Sequence, residues 1–327
     1  VVPAIWTWAV SHAIWYAESL QECRARMDEL YGEGVRGACW AIIRERFTQF
    51  MFGFYPSEIW WRPISAFVLL FVALGPVLFD AMPARRQMIW FTAAYPVIAY
   101  YLLWGGSIWP FVTFLLGVAL GVVAFVGIRR SGHSVFGAPG FAIAGGVAVA
   151  AAYLNLLWTP STDAVTAAFG PVGPAPVQSD DFGGFMLTVI IGVTAISASL
   201  PLGVLLALGR QSGLIFIKMI SVVFIEAIRG VPLITLLFVA STLLNYFLPP
   251  GTSFDIILRV VIMATFFAAA YIAEAVRGGL AALPKGQYEA ADAMGLTYWQ
   301  SMRLIILPQA LKISIPSIVN IFIGLFK

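Results

Sequence analysis

Across residues 87–128 the chain runs for 42 positions without a single Asp, Glu, Lys or Arg. A helix needs about 20 apolar residues to cross a bilayer. This stretch therefore holds two crossings, broken at Gly105-Gly106-Ser107 before Trp109-Pro110. Comparable uncharged runs stand at 63–79, 138–158 and 184–208, and further apolar stretches of spanning length lie within 217–247 and 254–280 and begin near Leu307. Eight crossings are expected. Each is expected to be helical, because hydrocarbon offers backbone N–H and C=O groups no outside partner and the runs lack the alternation of a barrel. At 61% hydrophobic and 11% charged, the chain stands far from the roughly 45–50% and 25% of soluble domains. An all-α, polytopic helical membrane protein follows; a soluble enzyme and a disordered chain are excluded.

Of the 19 basic and 16 acidic residues, 13 fall within 18–62, so one polar segment precedes the apolar body. Residues 1–17 carry Trp6, Trp8, Trp15 and Tyr16 and read as the end of a preceding span or an interfacial helix. They lack the basic start and cleavage site of a signal peptide, and the natural chain is expected to begin earlier and to run on past Lys327. Arg85-Arg86, Arg129-Arg130, Arg210 with Lys218, and Lys285 with Arg303 occupy alternate connections. Basic loops stay on the cytoplasmic side. The opposite connections, 105–107, the acidic 159–182 and 249–255, are then outside, and 18–58 lies in the periplasm of an inner membrane. Cys23 and Cys39, the only cysteines, fall in that exported segment, where disulfides persist. They either bridge or remain free thiols packed against Trp40 or Phe47.

Several chemistries drop out. A net charge of +3 with no basic block gives nucleic acid nothing to bind. A phosphate-binding loop needs a lysine followed by Ser or Thr, and no lysine here has that neighbour. His12 and His133 are the only histidines, too few and too far apart for a zinc pair on one helix; His133 is read as a solvated loop residue. No Gly-x-Ser-x-Gly elbow appears. No catalytic residue, metal or cofactor of this chain's own is expected.

The connection 281–306 is long and patterned. Pro284 and Gly286 break the preceding helix, 287–294 is rich in helix formers, and Gly295 is placed to end it. Glu289 and Asp292 face water while alanines line another face. Taken alone, this is an amphipathic loop lying on the membrane. Read in order, however, Glu289-Ala290-Ala291, then Gly295, then Ile306-Leu307-Pro308 resembles the EAA motif of ABC importer permeases. Ala270-Tyr271-Ile272-Ala273-Glu274-Ala275-Val276-Arg277, Leu283-Pro284-Lys285-Gly286-Gln287, Ile306-Leu307-Pro308-Gln309-Ala310 and Glu226-Ala227-Ile228-Arg229-Gly230-Val231-Pro232 are similar to the polar amino-acid subfamily. That likeness covers about 183–327. Gly37-Ala38-Cys39-Trp40, the stretch 49–56 and Trp61-Arg62-Pro63 resemble the M-type permease subunit of general L-amino-acid transporters.

The resemblance implies a type I ABC importer transmembrane domain with extra N-terminal spans, moving L-amino acids from periplasm to cytoplasm. It implies a second homologous permease, two ATPase subunits carrying ATP and Mg, a periplasmic amino-acid-binding protein, and lipid around the whole. The ATPase-coupling residues would be Lys285, Gly286, Glu289, Ala290, Ala291, Gly295, Leu307 and Pro308, with Ala290 and Ala291 against the ATPase. The expected organisation is a periplasmic segment 1–62 with the end of a span, accessory helices 63–160, a periplasmic loop 161–182, and a C-terminally truncated core 183–327. A self-contained secondary transporter is the alternative, although the inverted repeats it needs are not visible. An internal echo remains. Glu226 and Arg229, like Glu274 and Arg277, stand three apart on a helix face. Each pair either neutralises itself or lines the translocation path, where arginine can grip a carboxylate with two N–H groups.

Overall fold

The computed structural model describes residues 2–32, 34–79, 82, 84–130, 139–243, 246 and 255–326. His133 and most of the 249–255 connection lie outside them. The described chain is helical, with two isolated backbone bridges and no strand. After a helical stretch at Val2–Trp6 and Thr7–Ser11 come α1 (Leu20–Tyr31), α2 (Ala41–Phe52), α3 (Trp61–Leu78), α4 (Arg85–Leu103), α5 (Trp109–Arg130), α6 (Pro139–Leu156) and α7 (Trp158–Phe169). The chain continues through α8 (Gly184–Arg210), α9 (Ile215–Arg229), α10 (Leu233–Phe238), α11 (Ile256–Ala281), α12 (Lys285–Ala293) and α13 (Leu307–Leu325).

Five helices among the described residues are long and apolar enough to cross a membrane, or seven if two bent pairs each make one span. The eighth expected crossing, α4, falls short of that hydropathy because Arg85, Arg86, Gln87 and three tyrosines dilute its apolar run. The bent pairs are α6–α7, at 58°, and α9–α10, at 103°. The second bend falls at Gly230-Val231-Pro232. Proline has no N–H to give and pushes the residue before it out of helical geometry.

The chain forms two compact units, Val1–Phe54 with Phe182–Lys327, and Tyr55–Asp181. The expected start of the core at 183 falls beside the unit boundary at Phe182. The first 54 residues join the C-terminal core because α2 packs on α8, and because Gly53 bridges to Phe182 so closely that a side chain there would strike Gly183. Residues 161–182 are not all loop, since α7 runs through Phe169.

In Tyr55–Asp181, α5 and α6 meet through small residues: Gly117 faces Tyr153 and Gly121 faces Ala150. Close backbone approach of this kind drives helix association in lipid. The turn after α4 uses Gly105 and Gly106 at φ 68° and 89°, and Gly106 N–H donates to the Pro174 carbonyl at 2.8 Å. Arg62, only 1% exposed, donates to the carbonyls of Leu102 (2.8 Å) and Tyr101 (3.5 Å) at the end of α4 and of Ala175 (3.0 Å). The last carbonyls of a helix lack internal partners, and this guanidinium supplies one.

In the other unit, α11 lies between α8, α9 and α13. Ala268, Ala269 and Ala270 are fully buried, Gly203 sits against Ile272, and Gly279 against Ala310 and Ser314. Ser314 Oγ donates across to the Ala275 carbonyl at 2.9 Å. Below these contacts Ile225, Ile272, Val276, Leu280, Met302 and Ile306 form one apolar core. The N-terminal part is stapled by a Cys23–Cys39 disulfide with Cα atoms 6.3 Å apart. Of the two alternatives for these cysteines, the bridge is the one formed.

Candidate functional site

Where α8, α9 and α11 converge, five charged side chains meet in an otherwise apolar bundle. Glu274, its side chain 17% exposed, is the hub. Its Oε1 accepts from Arg210 Nη1 at 2.7 Å, and its Oε2 lies 2.9 Å from Arg277 Nη2 and 3.8 Å from Arg229 Nη1. Arg277 Nε also donates to Oε2, at 3.0 Å. Arg210 Nη1 reaches on to Glu226 Oε1 at 3.0 Å. The Arg229 guanidinium sits over the Tyr271 ring, 5.3 Å from its centre, an arrangement that attracts cations to the ring face.

This both matches and departs from the sequence pattern. Glu274 and Arg277 pair within their helix. Glu226 and Arg229 do not mirror them: Glu226 binds Arg210, and Arg229 crosses to Glu274. The reason is helix crossing, since the end of α8 lies between α9 and α11 and Gly209 lets Ser221 approach it closely. In the sequence Arg210 stands out only as a loop cation. Its position in the last turn of a crossing helix, where a cation offsets the helix dipole, is the signal that could have placed it in the cluster.

Three arginines against two carboxylates leave the cluster with one net positive charge. It also borders the break between α9 and α10. Helices interrupted inside membranes, with ionisable residues beside the break, are the usual material of substrate pathways.

The second feature is α12 together with the turn that ends it. Pro284 precedes its first turn. Gly295, at φ +70°, closes it: Gly295 N–H donates to Asp292 (2.9 Å) and Leu296 N–H to Ala291 (3.2 Å), the paired bonds of a glycine-terminated helix. Pro308 stands at the second position of α13, beside Leu307 at the start, and α13 directly follows the wider π turn Met302–Ile306. Gln309 Nε2 donates to Gln287 Oε1 at 3.2 Å and to the Ile305 carbonyl at 3.0 Å, so α12 is tied to α13. Both glutamines stand inside the sequence motifs, which give neither of them a role. Burial and then the nearby Tyr298 push the Tyr288 phenol above its ordinary value, so it stays neutral against the core.

One expectation is corrected. Ala291 is fully buried in this chain's own interior, whereas Ala290 is exposed. Only Ala290 can meet a partner, because one helical step of about 100° separates the two side chains. Lys285, Gly286 and Glu289 share the exposed side, joined by the large apolar Met294 (64% exposed) and Trp299 (67%).

Residues 199–327 match the family described as binding-protein-dependent transport system inner membrane component. The glutamate/glutamine/aspartate/asparagine transport system permease protein BztC of Rhodobacter capsulatus is 57% identical over 318 residues, 97% of this chain and 71% of its own length. The inner membrane amino-acid ABC transporter permease protein YhdY of Escherichia coli K12 is 35% identical over 328 residues, 100% of this chain and 69% of its own length. A crystal structure of an amino acid ABC transporter with histidines aligns at a TM-score of 0.39 and 32% identity, over 43% of this chain and 64% of that one. The secondary-transporter alternative is thereby set aside. The chain belongs to the multi-pass, inner-membrane permease subunits of amino-acid ABC importers.

Proposed function

We propose that this subunit, with a second homologous permease, forms the pathway of an importer for acidic amino acids and their amides. A periplasmic binding protein delivers the substrate, and two ATPase subunits, each with ATP and Mg, drive the cycle. The substrate class rests on the 57% identity to a relative named for glutamate, glutamine, aspartate and asparagine transport. The net positive cluster of Arg210, Arg229, Arg277, Glu226 and Glu274 supports it: an anionic side chain or α-carboxylate passing the α9–α10 break meets guanidinium donors rather than apolar wall. The residues 18–58 lie in the periplasm, and 281–306 faces the cytoplasm, where Lys285, Gly286, Glu289 and Ala290 of α12 dock on the ATPase while Gly295, Leu307 and Pro308 hold the loop's shape.

The observation that carries the reading is the charge cluster beside a broken membrane helix. Its test is uptake of labelled glutamate, glutamine and a neutral branched amino acid by the complete transporter in proteoliposomes with ATP inside and loaded binding protein outside. Uptake of the first two but not the third is expected. Arg229→Lys and Arg277→Lys keep charge but lose the planar fork, and should lower glutamate uptake more than glutamine uptake. Equal uptake of all substrates by both variants and by the unmodified protein would overturn the path assignment.

A further inference from the structure

The N-terminal stapled segment carries a surface that transport does not explain. Trp15, Tyr16, Trp40, Ile43, Arg44 and Phe47 line a groove between the first turns of the chain and α2. Trp15 and Trp40 stack with centres 6.2 Å apart, and Trp40 is fixed by its indole N–H donating to the Ala9 carbonyl at 2.8 Å. The Arg44 guanidinium lies 4.9 Å from the centre of the Tyr16 ring. No carboxylate or hydrogen-bond acceptor for Arg44 is found among the described residues. Trp15, Tyr16 and Phe47 are all more than half exposed. A rigid aromatic trough with an unneutralised guanidinium at its rim is thus held open on the surface.

Two neighbours fix where that trough sits. The stretch Val2–Ser11 is apolar and exposed, with Val2, Ile5, Trp6, Trp8 and Val10 all uncovered, as befits a helix in lipid. It is tied to the trough's floor by the Ala38 N–H bond to the Trp8 carbonyl at 2.8 Å. At the other side α2 packs on α8 and ends at Gly53, bridged to Phe182, where the α8 crossing begins. One flank of the groove is therefore the start of a membrane crossing, and the other is an exposed apolar helical stretch. Tryptophan and tyrosine concentrate at that depth, and arginine there extends its charged head toward phosphates.

We propose that the groove binds one membrane phospholipid, with its phosphate on Arg44 and its glycerol and upper acyl chain along Trp15, Tyr16 and Phe47. The exposed apolar side chains of Val2, Ile5, Trp6, Trp8 and Val10 stand next to the groove in the chain, and together with the guanidinium of Arg44 they favour a lipid, with its acyl chain and its phosphate, over a soluble protein. The bound lipid would seat the stapled segment on the membrane at the mouth of α8.

The test uses the full-length subunit in its complete complex, in vesicles of phosphatidylethanolamine and phosphatidylglycerol doped with phosphatidylglycerol bearing a photoactivatable diazirine. After illumination, unreduced peptide mapping should place label on peptides containing Trp15–Tyr16 and Phe47. Arg44→Glu should cut that label about tenfold, the worth of one charge-assisted hydrogen bond, while Arg44→Lys keeps most of it. Label on the lipid-facing stretch 2–11, and the intact Cys23–Cys39 link, must be unchanged in both variants to show that the fold survives. Groove label that is absent from the unmodified protein, or equal in Arg44→Glu, overturns the proposal. So does groove cross-linking to the binding protein in place of lipid.

Discussion

Replacing Glu274 with alanine removes the hub of the charge cluster and leaves the arginines unequal. Arg210 keeps Glu226 at 3.0 Å and Arg229 keeps the Tyr271 ring, but Arg277 loses both of its contacts. Removing one partner of a buried pair costs about 3–5 kcal/mol. Here the arginine side chains are 26–45% exposed and only the glutamate is well covered, so solvent screening brings the expected loss to about 2–3 kcal/mol. Glu226, 56% exposed in its own pair with Arg210, should cost no more than about 1 kcal/mol when changed to alanine. The assay is unfolding of the purified subunit in mixed micelles, for Glu274→Ala, Arg210→Ala and the double variant. In the double variant the two losses should fall short of additivity by about 1–2 kcal/mol, as for side chains in direct contact. If Glu274→Ala costs no more than Glu226→Ala, and the double variant is additive, the hub is a drawing of proximity without energetic content.

Gly295→Val places a branched side chain at φ +70°, a conformation that costs L-residues roughly 1–2 kcal/mol. Nothing crowds the site, so the expected defect is loss of the helix end, read as lost ATP-driven uptake with normal membrane insertion; normal uptake would refute the turn's role. Arg62→Met leaves the Leu102 and Ala175 carbonyls without their donor, while Tyr101 keeps the Gly105 N–H, and should destabilise the Tyr55–Asp181 unit by about 3 kcal/mol, seen as new protease cleavage after Leu103. Cleavage unchanged from the unmodified protein would mean the guanidinium is dispensable. Cys23→Ser should lower the stability of the N-terminal segment by about 3 kcal/mol, the value for closing a loop near 15 residues; non-reducing mass spectrometry of the unmodified protein should find the two peptides linked.

Legibility in the sequence followed the range of the interactions. Glycine marked its own turns: the break at Gly105-Gly106 and the helix end at Gly295 depend on one residue's backbone, and both stand where the pattern put them. The crossings were legible because lipid demands long apolar runs; α4 was read as one of them, although Gln87 and three tyrosines lower its hydropathy in a way that a search for charge-free length does not see. The bend after Arg229 had its proline in plain view, yet a 31-residue window holding one crossing concealed it. Arg210 and Glu274 lie 64 positions apart, and no local periodicity links them. The difference between Ala290 and Ala291 is one step around a helix whose orientation is set by Tyr288, Gln287 and Gln309, which only packing reveals.

The bridge between Gly53 and Phe182 also sets a clock. When Phe54 leaves the ribosome, its neighbour in the finished structure has not been made, and the whole Tyr55–Asp181 unit must be synthesised first. At about 5–20 residues per second, that is a wait of roughly 6–25 s before α8 arrives. For that interval residues 1–54 must keep their shape without α8. The Cys23–Cys39 staple, the Trp40 bond to Ala9 and the backbone bonds of Ile14 and Ala41 are all internal to them. The segment is thus built as a finished part that waits, and its proposed export into an oxidising compartment is what would let the staple close in time.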